Sequence, residues 1–142
     1  GKKIIAAGNE RVLNARLRDA KYFWDSDIET PLDEFAAKLT GITFHQKLGS
    51  VADKVARLKK LYAAVADKLP KVDAAKMDRV LTLMKADLTT QMVYEFDSLE
   101  GVVGKLYAEK QGVDPEIALA MLEHRLPRRA GDAMPTGDLG RI

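Results

Sequence analysis

Chemistry at neutral pH needs a nucleophile, an acid–base group or a bound metal, and this 142-residue chain is poor in all three. It has two histidines, His45 and His124, and no cysteine. A site built from His and carboxylates needs several ligands converging. His45 is followed by Gln46 and His124 by Arg125, so neither opens a His-Asp pair. His45, beside Phe44, reads as a partly buried hydrogen-bonding residue. His124 falls at a helix end, where a cation suits the helix dipole. There is no Gly-x-Ser-x-Gly elbow and no serine with an evident His and acid partner. Neither glycine-rich phosphate-loop spacing occurs. Glu95, Asp97 and Glu100 cluster near a helix junction, where acids favouring a helix N-terminus explain them more simply than paired acid–base work. The sequence therefore assigns no catalytic residue and no metal ligand.

Basic clusters are the stronger lead. Arg11, Arg18 and Lys21 share the polar face of a first helix, and Arg125, Arg128 and Arg129 crowd the exit of a last one. The guanidinium fork matches phosphate geometry, and short clusters on a rigid helix can position an RNA backbone. Arg11, Arg18, Arg128 and Arg129 are accordingly the candidate RNA contacts, set against the plainer reading of solvated helix faces. Tyr22, Phe23 and Trp24 together suggest a stacking platform, but Trp24 lies on an apolar stripe and belongs to the core. With 23 basic and 21 acidic residues, the whole-chain charge does not call for nucleic acid, so any such contact has to be local.

The elements that must position these residues are helical. Hydrophobic residues make up 46% of the chain, enough to bury a real core. The lack of cysteine excludes disulfides and thiolate metal sites. No apolar run approaches the roughly 20 residues that cross a bilayer, so a cytoplasmic setting without membrane contact is expected. Residues 1–8 read as a trailing strand or linker of a preceding domain. From Asn9 a helix carries Leu13, Leu17, Ala20, Trp24 and Ile28 on one stripe. Thr30-Pro31 starts a second, with Leu32, Phe35, Ala36 and Leu39 buried. Ile42–His45 is expected to be a packed connection rather than a sheet. Ser50 and Asp53 resemble a capping box opening a third helix, which Pro70 ends. Asp73 caps a fourth, with a stripe from Met77 to Met92. Ser98 caps a fifth that stops at Gly112, and Asp114-Pro115 opens a sixth. Residues 127–142 form a loop. The prediction is an all-α bundle of about six helices over 9–126, truncated at both ends.

Several blocks also look familiar together. Gly8-Asn9-Glu10-Arg11-Val12-Leu13 is followed by Ala15-Arg16-Leu17-Arg18-Asp19-Ala20 and Phe23-Trp24-x-x-Asp27. Next come Thr30-Pro31-Leu32 and Phe44-His45-Gln46-Lys47-Leu48-Gly49-Ser50-x-x-Asp53-Lys54-Val55-x-Arg57. Lys85-Ala86-Asp87-Leu88-x-Thr90-x-Met92-Val93-x-Glu95-Phe96, Gly101-Val102-Val103-Gly104-x-x-Tyr107-Ala108 and Leu126-Pro127-Arg128-x-Ala130-Gly131-Asp132 complete the series. In order and spacing this resembles the beta subunit of the bacterial heterotetrameric glycyl-tRNA synthetase over nearly the whole chain.

The resemblance implies an HD-like helical domain within a longer subunit, one that would continue past Ile142. It implies glycine tRNA and the alpha subunit of an α2β2 assembly as partners. ATP and Mg²⁺ would serve the alpha subunit's activation of glycine, with no cofactor held by this stretch. The HD fold is named for a His-Asp metal dyad, where this chain has Lys85-Ala86-Asp87. A protonated lysine cannot act as a neutral imidazole ligand. The expected role is a non-catalytic contribution to tRNA binding near the acceptor arm. The alternatives are a metal-dependent HD phosphohydrolase and a module that only braces its neighbours.

Overall fold

A computed structural model describes residues 2–142, with side chains described from Ile4 onward. The described chain is all-α apart from one two-stranded hairpin. Its α-helices are α1 (Lys2–Ile28), α2 (Leu32–Ala37), α3 (Val51–Val65), α4 (Ala74–Leu83), α5 (Gln91–Glu95), α6 (Val102–Lys110), α7 (Pro115–Glu123) and α8 (Asp138–Arg141). Short 3-10 turns at Lys38–Gly41, Ala66–Lys68, Ala86–Thr89 and Asp97–Leu99 join several of them.

Two apolar clusters hold these helices together. In the first, Leu32 and Phe35 of α2 meet Leu83, Met92, Tyr107 and Met121. The second packs Met77, Val80 and Leu81 of α4 against Ile117 and Ala120 of α7. Trp24 stands edge-on to Tyr107 at 5.0 Å between ring centroids, so it is a core residue as expected.

Helix α1 departs from expectation in both directions. Residues 2–8 are its first turns rather than a strand, while Gly1 lies outside the described residues. A lone strand leaves its backbone groups unpaired, whereas extending an existing helix adds a hydrogen bond for each residue fixed. The expected stripe, however, is buried only toward the C-terminal end. Ala20, Phe23, Trp24 and Ile28 pack on the first cluster, but Leu13 and Leu17 are exposed. The helix simply outruns the body that could cover it.

Other boundaries move for local reasons. Thr43–His45 pairs antiparallel with Gly49–Ser50, so the connection before α3 is a small hairpin of β1 and β2. The Ser50–Asp53 capping box at α3 is present in full. The expected fourth helix divides into α4, a 3-10 turn and α5. Thr90 starts α5 by accepting from the Val93 N–H, an N-cap inside what reads as one apolar stripe. Ser98 falls in the 3-10 turn, and α6 begins after Gly101, whose φ of 84° places it in the left-handed region that favours glycine. The final stretch is not wholly loop: α8 lays the buried Leu139 on the second cluster.

Candidate nucleic-acid interface

The four nominated arginines fall into two pairs. Arg11 and Arg18 are exposed on α1, two turns apart, and so lie along nearly one line of that helix. Lys21 shares the helix but is answered by Asp25 at 2.6 Å. Arg128 and Arg129 occupy the turn after α7, where both backbone N–H groups donate to Asp132 Oδ2 at 3.1 Å. Arg129 Nε also reaches Asp132 Oδ1 at 3.3 Å, although its side chain is 86% exposed. No hydrogen bond or ion pair among the described residues joins the two pairs. Arg16, which the sequence reading passed over, sits with its guanidinium 5.1 Å from the Phe96 ring centre.

The remaining member of the C-terminal cluster, Arg125, is structural. Its Nη2 pairs with Glu100 Oε2 at 2.8 Å, and Lys85 Nζ lies 3.2 Å from Glu100 Oε1. Beside this triad, Asp87 is buried. Its Oδ2 accepts from the Gly101 N–H at 2.6 Å, while Oδ1 is buried without a hydrogen-bond partner. Burial pushes its carboxyl above the usual range, against the opposing pull of the Gly101 N–H. Gly104 allows the close approach, since a Cβ there would stand 3.1 Å from Asp87 Oδ2. Among the described residues, no group of three His, Cys, Asp or Glu is placed to hold a metal ion.

Both histidines behave differently from expectation. His45 is exposed, and its Nδ1 accepts from the Lys47 N–H at 3.1 Å. His124 does end α7, but it is no cation. Both ring nitrogens are buried without partners, and burial, then the Lys85 charge, push it down to about 4. Desolvation overrides the helix dipole here. The acidic group also separates: Glu100 belongs to the Lys85–Arg125 network, whereas Glu95 and Asp97 are exposed.

Sequence reasoning missed a second basic surface. From Lys38 to Val65 the chain has six Lys and Arg but one acid, Asp53; the rest of the chain has 17 basic and 20 acidic residues. The positive excess therefore sits on the 3-10 turn at Lys38–Gly41, the hairpin and α3. Of its cations, Lys59 is paired with Asp78 at 2.7 Å, and Lys38 lies 4.9 Å from the Phe35 ring centre. Lys47, Lys54, Arg57 and Lys60 have no carboxylate within ion-pair distance among the described residues. A running count of charge along the sequence would have shown this excess, which a search for arginine clusters skips.

A sequence model of the family described as glycyl-tRNA synthetase beta subunit matches residues 1–142. The chain belongs to that family. Among its relatives, the glycine–tRNA ligase beta subunit of Syntrophomonas wolfei subsp. wolfei is 47% identical over 139 residues, 98% of this chain and 20% of the relative. That of Gloeothece citriformis is 44% identical over 142 residues, 99% of this chain and 20% of the relative. That of Sulfurihydrogenibium sp. is 46% identical over 139 residues, covering 98% and 20%. The chain thus spans about a fifth of the length of these beta subunits. Within this glycyl-tRNA synthetase beta-subunit stretch, no helix is long and apolar enough to cross a membrane among the described residues.

Proposed function

We propose that this stretch of the beta subunit, an HD-like domain in our reading, forms part of the surface that holds glycine tRNA near its acceptor arm. It makes and breaks no bond itself, and activation of glycine with ATP and Mg²⁺ belongs to the alpha subunit in the cytoplasm. The observation that carries the reading is the exposure of Arg11 and Arg18 in line on α1, each with no ion-pair partner among the described residues. Arg128 and Arg129 form a second, partly neutralised contact beside Asp132. Against a phosphohydrolase, Lys85 is bound to Glu100, and Asp87 is committed to the Gly101 N–H.

A bracing role has one observation in its favour: Ile5, Val12, Leu13 and Leu17 are 61–64% exposed on the side of α1 away from Arg11 and Arg18, an apolar face that suits a protein neighbour. Fluorescence anisotropy of a glycine tRNA acceptor-arm hairpin against the assembled synthetase separates the readings. Charge reversal at Arg11 and Arg18 should weaken binding and lower its salt slope by about two. Unchanged binding for that pair and for R128E/R129E would leave bracing as the role.

A further inference from the structure

The hairpin and α3 form a rigid, positively charged ledge. Asp53, its only acid, is exposed but engaged in the capping box: its Oδ2 accepts from the Ser50 N–H and from Ser50 Oγ, both at 2.8 Å. Those bonds with Ser50 hold its carboxyl below the usual range, so it stays ionised and occupied. Arg57 Nη1 donates to the Leu48 carbonyl at 2.7 Å, which ties α3 to the turn of the hairpin. The turn itself is held by the Leu48 N–H donating to the His45 carbonyl at 3.0 Å. Lys47, Arg57 and Lys60 are exposed on this frame. Lys54, Arg57 and Lys60 recur every three residues, spreading their charges over about 9 Å of helix length. Phe44 is 42% exposed, and the Lys54 ammonium stands 4.5 Å from its ring centre.

Five cations on the hairpin and α3, four of them without an ion-pair partner among the described residues, against one acid engaged in its capping box make a surface whose partner is a polyanion. An exposed aromatic with an ammonium beside it is suited to an unstacked base and its phosphate. We propose that the hairpin–α3 ledge is a second RNA contact, separate from the arginines of α1. Lys47, Lys54, Arg57 and Lys60 grip the phosphate backbone there, and Phe44 takes an unpaired base. The proposal rests on the reading of this stretch as part of a tRNA-holding surface, and it adds where and how a second segment of the RNA is held. An acidic protein face, such as one on the alpha subunit, is the competing occupant that the test must exclude.

The test uses the assembled synthetase with K47E/R57E/K60E in its beta chain, and K47Q/R57Q/K60Q as a milder set that keeps the fold if the first does not. Phe44→Ala probes the base contact. Binding of full-length glycine tRNA is titrated across salt concentrations. Subunit assembly is followed by size-exclusion chromatography and glycine activation by pyrophosphate exchange. The charge-reversed enzyme should bind tRNA at least about tenfold more weakly at 0.1 M salt, and the glutamine set should lower the salt slope by about three. F44A should weaken binding with the salt slope unchanged, and assembly and pyrophosphate exchange should match the parent enzyme. Unaltered tRNA affinity in both charge variants overturns the proposal. So does loss of the alpha subunit with RNA binding retained, which would make the ledge a protein interface. R11E/R18E, measured alongside, separates the two claims. If only that pair weakens binding, the ledge is wrong and the broader reading stands; if neither does, both fall.

Discussion

Asp27 is the residue on which the joint between α1 and the rest of the body depends. It is 2% exposed, yet its carboxylate accepts three hydrogen bonds. The Gln91 N–H reaches Oδ1 at 3.1 Å, the Met92 N–H reaches Oδ2 at 2.9 Å, and the Tyr107 hydroxyl donates to Oδ2 at 3.2 Å. Two of these donors belong to the first turn of α5, which Thr90 alone cannot satisfy. Burial and the Asp27 charge in turn push the Tyr107 phenol well above its usual range, so it remains a donor. Asp27→Ala strands the Met92 N–H and the Tyr107 hydroxyl away from water. At about 1–3 kcal/mol for each buried group left unpaired, the two together should cost about 2–6 kcal/mol. Asp27→Asn keeps one acceptor but turns an NH₂ toward a donor, and should lose about 2 kcal/mol; Tyr107→Phe should lose about 1 kcal/mol. Urea unfolding read by circular dichroism gives these differences. Trp24, the only tryptophan, packs on Tyr107 and provides a second, local signal. The double variant should lose less than the sum of the single losses, because both single variants break the same bond. A loss below about 1 kcal/mol for Asp27→Ala, or strict additivity with Tyr107→Phe, would refute this account of the joint.

Two buried titratable groups make pH the next probe. His124 is held down to about 4, so the unfolded chain takes up its proton first as pH falls. Its contribution is fully present above the ordinary imidazole value of about 6.5 and declines as pH drops toward 4, with a slope of at most about 1.4 kcal/mol per pH unit. His124→Leu should flatten that slope in urea titrations taken at several pH values; an unchanged slope would contradict the burial argument. Glu123 is pulled the other way by burial, but bonds from the Thr136 hydroxyl and the Thr136 and Gly137 N–H groups win and lower its carboxyl below the usual range. The docking of residues 136–141 should therefore hold above about pH 4.3 and loosen as pH falls through the lower folded value. Hydrogen exchange at the Thr136 and Gly137 amides reads this directly, and Glu123→Gln should show fast exchange at neutral pH as well.

The helical class was legible because its signals are local. The Ser50–Asp53 box, the Asp73 and Asp114 caps and Pro115 at the first position of α7 each act within one turn, and each stands where the sequence places it. The division between α4 and α5 was not legible. The stripe from Met77 to Met92 is continuous in apolar character, and the break depends on Asp27, 64 residues away from Gln91, supplying an acceptor. The same holds for the tail: Leu139 is one leucine among glycines and prolines until Glu123 supplies the anchor.

For the candidate interface the division is similar. The order of residues alone determines that the positive excess lies between Lys38 and Val65, since charge is counted along the sequence without coordinates. Which cations remain available is a tertiary matter, because an ion pair needs two groups within a few ångströms regardless of their distance along the chain. Arg125 looks like its neighbours Arg128 and Arg129 in sequence, and only the fold commits it to Glu100. His124 looks like a helix-end cation, and only burial beside Lys85 makes it neutral. Periodicity and caps determined the elements, whereas burial and long-range pairing decided which charges reach solvent.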